Sequence, residues 1–222
     1  MRLNQYVASA TELSRRSADE AIRLGRVSVN GALGFLGQGV ESTDSVELDG
    51  VTLELPTGTI YVMFHKPSGI VVSRAHQDKS QIIYDILPHQ YKNLIAVGRL
   101  DKDSSGLLIL TNDGQFAQRA THPSFEKAKT YEVTLTRQFA AKDQTQLETG
   151  VELEDGLSQL VVEAVADKTL KVSLAEGRNR QIRRTFEALD YRVMALHRTK
   201  FGPYQLGELG IGKCSRIDGG LL

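Results

Sequence analysis

Arg99 and Asp101 flank Leu100 in the segment Gly98–Gly106, GRLDKDSSG, directly ahead of the apolar run Leu107-Leu108-Ile109-Leu110. A carboxylate at the mouth of a buried strand, beside a guanidinium, can hold a reactive acid next to a polyanion. The same residues also describe a solvated turn whose acid caps the loop. Tyr131 opens a second segment of interest, YEVTLT, where it reads either as a half-buried strand aromatic or as a ring that stacks on a base or hydrogen-bonds an acid. A third segment, EGRNRQIRR, carries Arg178, Arg180, Arg183 and Arg184. At ~100° per residue, Arg180, Arg183, Arg184 and Glu187 share one helical face, and Ile182, Phe186 and Leu189 lie opposite. Arginines at a helix N-terminal end oppose the helix dipole. A bound polyanion or an internal carboxylate would relieve that conflict, and a plain solvated charged face is the third reading.

The rest of the charge pattern bears on the same question. The chain has 222 residues and balances 27 Lys and Arg against 27 Asp and Glu, which at first argues against a nucleic-acid partner. The distribution is uneven. Residues 39–57 hold Glu41, Asp44, Glu47, Asp49 and Glu54 with no Lys or Arg, whereas residues 171–200 are rich in Lys and Arg. Local clustering sets the field near a surface, so a neutral sum can hide a basic face. Near the N-terminus Arg2, Arg15, Arg16, Arg23 and Arg26 sit within a short helix–turn–strand unit, where they suit phosphate contacts or ordinary solvation equally.

Several classes fall away. Cys214 is the one cysteine, which excludes an internal disulfide and a multi-cysteine zinc site. His65, His76, His89, His122 and His197 show no metal-ligand spacing, so no metal is expected. GxxxxGK[ST], GxGxxG after a strand and GxSxG are all missing. No apolar run approaches the ~20 residues of a membrane span, and MRLNQYVASA lacks the long apolar segment of a signal peptide, which leaves a cytoplasmic location as the expectation.

These residues need elements to position them. Ser14 caps a helix through Ile22 that Gly25 ends; Arg26–Gly31 alternates and closes in an Asn-Gly turn; Ser45–Leu48 is a second strand with Asp49-Gly50 behind it. Pro56 and Gly58 break both patterns, giving a unit over residues 1–55, a linker at 56–59 and a larger unit over 60–222. In the larger unit, strands are predicted at Ile60–Phe64, Ile70–Val72, Leu94–Val97, Leu107–Leu110, Thr130–Thr136, Leu160–Ala164 and Leu170–Leu174. His65-Lys66-Pro67-Ser68-Gly69 is the bend after the first of these. Helices are predicted near Ser80–Leu87, Gln115–Ala120, Ala140–Glu148 and Asn179–Leu189. Few helices among many alternating strands indicate an α+β fold with a mixed, mostly antiparallel sheet.

Taken in order, HKPSG, GRLDKDSSGLLILTNDG, Lys129-x-Tyr131 and EGRNRQIRR resemble the RsuA/RluB-type ribosomal RNA pseudouridine synthases, and SRRSADEAIRLGRVSVNG resembles the S4-like RNA-binding module that these enzymes carry. The resemblance spans Arg2 to about residue 218. It implies an S4-like module followed by a pseudouridine synthase domain that isomerises uridine to pseudouridine in ribosomal RNA without a cofactor. It also implies the residues. Asp101 matches the essential aspartate, which acts at the ribose by attacking the sugar carbon or removing a ribose proton. Tyr131 matches the tyrosine that contacts the base, Arg178 the basic residue that pairs with the aspartate, and Ile182 the aliphatic residue beneath the base. Arg99 matches the arginine that fills the place of the flipped-out nucleotide. Arg180, Arg183 and Arg184 would add substrate contacts, and Arg2, Arg15, Arg16 and Arg26 would serve the RNA-binding module.

The chemistry suits those residue types, since a base inside paired RNA must be extruded before a protein carboxylate can reach its sugar. The expected partner is ribosomal RNA or a ribosomal assembly intermediate, bound by a monomer with no membrane involved. Two rivals stand beside this reading: a non-enzymatic RNA-binding protein, and a synthase acting on transfer RNA. One departure concerns the C-terminus, where the family has a Gly-x-Trp-Arg segment and this chain has Gly212-Lys213-Cys214-Ser215-Arg216, with no tryptophan anywhere, before ending at Gly219–Leu222.

Overall fold

Ser14 begins a helix as its position suggests: its side chain accepts the Ser17 amide at 3.0 Å, supplying one of the partners that a helix start lacks. The computed structural model describes residues 1–76, 78–121 and 128–217, so His122 and Gly219–Leu222 lie outside the described residues. In the N-terminal part, α1 (Leu3–Ala10) and α2 (Arg15–Arg23) pack on a sheet of β1 (Val27–Val29), β2 (Ala32–Leu33), β3 (Val46–Leu48) and β4 (Val51–Thr52) in the order β2-β1-β3-β4. Asn30-Gly31 and Asp49-Gly50 make its two tight hairpins. All four residues hold positive φ, between 52° and 79°, as two-residue turns matching strand twist require. Leu3, Val7, Ala18, Ile22, Val27 and Val46 form this part's own apolar cluster, against which Leu53 and Leu55 pack.

The larger sheet contains β5 (Tyr61–Lys66), β6 (Ile95–Val97), β7 (Ser105–Thr111), β8 (Lys129–Leu135), and, beyond a small hairpin of β9 (Val151–Leu153) and β10 (Gly156–Ser158), β11 (Val161–Ala166), β12 (Thr169–Leu174), β13 (Val193–Phe201), β14 (Tyr204–Gln205) and β15 (Cys214–Arg216). Its order is β11-β12-β8-β13-β7-β5-β15, with β14 beside β13 and β6 beside β7. Every pairing in it is antiparallel except β13 with β7. The remaining helices are α3 (Ile83–Ile86), α4 (Gly114–Thr121), α5 (Gln144–Thr149) and α6 (Gln181–Glu187). No helix among the described residues is long and apolar enough to cross a membrane.

The unbroken apolar run of β7 follows from burial on both faces. Leu108 and Leu110 join the large core with Phe64, Val133 and Phe186, while Leu107 and Ile109 face a second cluster with Phe116, Phe201 and Tyr204. Three local expectations change. Ile70–Val72 is no strand, its backbone making a single bridge from Val71 to Ile82. The helix near Ser80–Leu87 shortens to α3. The helix expected from Asn179 starts only at Gln181, because Arg180 takes the left-handed conformation.

β13 was not foreseen as a strand, yet it joins the two halves of the sheet. It approaches β7 at Arg198 opposite Gly106, where a Cβ would overlap the Arg198 backbone and where φ is +108°. Gly106→Ala therefore combines a clash with a disfavoured backbone. We expect it to lower stability by about 3 kcal/mol or more, moving the unfolding midpoint down by roughly 6–12 °C. Gly114→Ala, where a Cβ meets open space at ordinary φ, should leave the midpoint in place in the same melt.

Candidate active site

The turn carrying Asp101 leaves β6, passes Gly98 and Arg99, and enters β7 at Ser105. Its shape is held from beneath by Lys66, the last residue of β5, which is fully buried. The Lys66 ammonium donates to the carbonyls of Ser104 at 2.7 Å, Pro67 at 2.9 Å and Lys102 at 3.4 Å. The Gly69 amide donates to the Lys102 carbonyl from the HKPSG bend at 2.6 Å. That bend is thus the seat of the acidic turn. Burial lowers the Lys66 pKa to about 8, against the opposing pull of Asp101 and Asp103.

A cleft of about 770 Å³ opens above the turn. Its walls include Arg99, Asp101, Tyr131, Arg178, Arg180 and Ile182, so six of the residues singled out in the sequence share one cavity. Asp101 is half-buried and Arg99 exposed; Tyr131 on β8 and Ile182 in α6 are buried with their apolar surfaces in the main core. The acid comes from one half of the sheet and the aromatic wall from the other.

Resemblance implied that Arg178 pairs with Asp101, and here the geometry differs. The Arg178 guanidinium is spent on the β9–β10 hairpin. Nη1 donates to the Asp155 carboxylate at 2.9 Å and to the carbonyls of Asp155 and Gly156, and Nη2 to the Leu157 carbonyl and Glu176. The cation beside Asp101 is Arg180, with Nη1 3.9 Å from Oδ2. Arg180 also forks onto Asp103 at 3.1 and 3.3 Å, and Arg183 donates to the Asp103 carbonyl at 3.0 Å. Burial pushes the Asp103 carboxyl up, but the Arg180 hydrogen bonds and the Arg183 charge outweigh it and leave the pKa lowered.

The left-handed backbone of Arg180, φ 46° and ψ 30°, accounts for the change of partner. A non-glycine residue there costs about 1–2 kcal/mol, and such outliers persist where surrounding contacts dictate them. Arg184 completes a second pairing, its two Nη atoms on Asp155 at 3.0 and 2.7 Å. Internal carboxylates thus meet the basic face of α6, one of the ways its clash with the helix dipole could be relieved. In the N-terminal part Arg2, Arg15 and Arg16 are exposed, while Arg26 forks onto Asp49.

Sequence reasoning missed Lys66, Asp103, Asp155 and Arg198. The first two lie inside HKPSG and GRLDKDSSG, and only the fold reveals their partners. What the cleft offers chemically is a carboxylate held beside a guanidinium, a buried aromatic wall and an aliphatic floor. That combination suits a planar ring and a sugar presented together.

Comparison with known proteins bears on the family of the chain. The family model described as RNA pseudouridylate synthase matches residues 60–188. The chain is 37% identical to the ribosomal large subunit pseudouridine synthase B of Bacillus subtilis (strain 168), over 97% of this chain and 91% of that protein. It is 38% identical to an uncharacterized RNA pseudouridine synthase of Mycobacterium tuberculosis (strain ATCC 25618 / H37Rv), over 94% and 86% of the two chains. A crystal structure of a pseudouridylate synthase superposes with a TM-score of 0.70 at 30% identity, covering 98% of this chain and 96% of that one.

The buried Lys66 gives a pH signature. Its folded pKa of about 8 lies below the ordinary 10.5, so the unfolded chain binds the extra proton between those values. Lys66 therefore favours folding most above pH 10.5, and that contribution is lost as pH falls through 8. We expect the stability of the parent minus that of Lys66→Met to rise with pH across this window, by on the order of 3 kcal/mol in denaturant titrations. A flat difference would remove the buried charge from the account.

Proposed function

Since the chain belongs to the RNA pseudouridylate synthase family, isomerases that turn uridine in RNA into pseudouridine, we propose that its substrate is a uridine in ribosomal RNA and that Asp101 is the reactive acid. The observation that carries this reading is the convergence of Asp101, Tyr131, Ile182 and Arg180 on one cleft. The Bacillus subtilis relative, named for the large ribosomal subunit, makes large-subunit RNA the first substrate to try.

The isomerisation breaks the bond from C1′ of the ribose to N1 of uracil and forms one from C1′ to C5. The C5 proton leaves and N1 gains one, so no oxidant or reductant is needed. Between the two bonds the freed uracil must turn while staying in place. Asp101 acts at the ribose, by attack on the sugar carbon or by removal of a ribose proton, and both routes need the ionised carboxylate. Arg180 sets its guanidinium beside that carboxylate, Nη1 3.9 Å from Oδ2. Tyr131 and Ile182 hold the ring on two sides, and Arg99, exposed at the lip, takes the place of the extruded nucleotide. Arg178 and Arg184 fix the loop before α6 through Asp155, which makes them positioning residues.

The N-terminal part is read as an S4-like module that grips RNA through Arg2, Arg15 and Arg16, supplying register and a salt-dependent share of affinity. Arg26, forked onto Asp49, would shape that surface from its edge.

Three measurements bear on these assignments. Asp101→Asn should abolish pseudouridine formation on ribosomal RNA, scored by chemical adduct and primer-extension stops, while RNA binding survives; retained turnover would sink the assignment. Arg180→Gly relieves the left-handed strain and gives up an exposed ion pair worth about 0–1 kcal/mol, so its stability should stay within about 1 kcal/mol of the parent. Its turnover should nevertheless fall on the order of 10- to 100-fold. Arg15→Ala with Arg16→Ala should weaken RNA binding and lower the slope of log affinity against log salt by about 0.7–0.9 for each phosphate no longer neutralised. An unchanged slope would count against the module's role.

A further inference from the structure

Arg198 lies on β13, 3% exposed, yet it belongs to the wall of the cleft. Its Nε donates to the Leu107 carbonyl at 2.7 Å, and its Nη1 lies 3.5 Å from the Arg99 carbonyl. These contacts fasten it to both sides of the Asp101 turn. The other nitrogen, Nη2, is shut off from water and has no hydrogen-bond partner among the described residues. Ser104, whose buried Oγ is likewise without a hydrogen-bond partner among the described residues, belongs to the same wall.

A second cation stands beside Arg198, in a cleft that Asp101 also lines. Lys129 reaches the same cleft, and both side chains pack on one ring, with Arg198 Cζ 5.3 Å and Lys129 Nζ 5.8 Å from the Phe201 centroid. Burial lowers the Lys129 pKa, and the neighbouring Arg198 charge lowers it further, against the pull of Glu176. Glu176 is itself engaged with Arg178 and Gln181. A desolvated guanidinium with an unused donor is costly unless an anion completes the site. A phosphate supplies both the charge and an acceptor for that donor.

We propose that Arg198 Nη2, with Ser104 Oγ, receives a phosphate of the target nucleotide inside the cleft, making Arg198 a substrate-binding residue of the reaction. Both atoms are closed to a water-sized group in the unbound protein, so a phosphate meets them only as the wall gives way to the entering nucleotide, which distinguishes the extruded uridine from the RNA that stays outside. The inference rests on the reading of the cleft as the uridine site.

The test neutralises each phosphate flanking the target uridine in a short ribosomal RNA substrate by methylphosphonate, against an ordinary phosphate on the same sugar. The parent enzyme should lose about 10- to 100-fold in kcat/KM at one of the two phosphates, as for a charge-assisted hydrogen bond. Arg198→Met should turn over both RNAs at the same reduced rate, because the partner of that phosphate is gone. Arg198→Gln, which keeps an amide donor for the Leu107 carbonyl, serves if the Met variant unfolds below the parent temperature. Loss of a purely structural residue would leave the methylphosphonate penalty intact. A full penalty persisting in the folded variant, or no penalty at either phosphate in the parent, overturns the role of Arg198. Turnover of the unmodified RNA by the parent separately tests the uridine reading.

Discussion

The absence of a side chain at Gly106 lets β13 lie against β7, and the site is organised around that contact. Arg198 presses its backbone on Gly106, at φ +108°, while its guanidinium reaches across to the Leu107 carbonyl. One strand therefore does two jobs at one residue: it closes the sheet, and it sets a buried cation behind the Asp101 turn. Lys66 performs the matching task from β5, satisfying carbonyls on that turn. The loop is held by groups rooted in neighbouring strands, which suits the proposed meeting of its carboxylate with a sugar in a fixed pose.

The electrostatics follow the same economy. The chain is neutral overall, and the basic face of α6 is matched locally by Asp103 and Asp155 rather than left to solvent. These pairs are partly exposed, so their contribution to stability is small, and their effect is geometric. Asp155 gathers the guanidiniums of Arg178 and Arg184 away from Asp101, leaving Arg180 to face it. Acids that look like surface decoration in the sequence decide which arginine meets the Asp101 carboxylate.

Local signals were legible in the sequence and long-range ones were not. Ser14 as a cap, the Asn-Gly and Asp-Gly hairpins, and the apolar run of β7 are written within a few residues of where they act. α1 carries no such mark: Arg2 makes no side-chain cap, and no acid stands in the first turn. β13 escaped because register shifts between Val193 and Ala195, and between Arg198 and Lys200, break the alternation that identifies a strand. The partner of Asp101 escaped for another reason. Resemblance assigned Arg178 by its place in the motif, and neither the left-handed turn at Arg180 nor the hold of Asp155 on Arg178 is written in that motif.

The strand order has a consequence for synthesis. Along the sheet, β5, β6, β7 and β15 lie on one side of β13, and β8, β12 and β11 on the other. Asp101 enters from the first group and Tyr131 belongs to the second, and β13, residues 193–201, is the strand between them. A nascent chain that has not yet released this segment from the ribosome holds the acid and the aromatic wall on sheets with no shared ladder. The two walls of the cleft thus come onto one sheet only after residues 193–201 have paired on both sides.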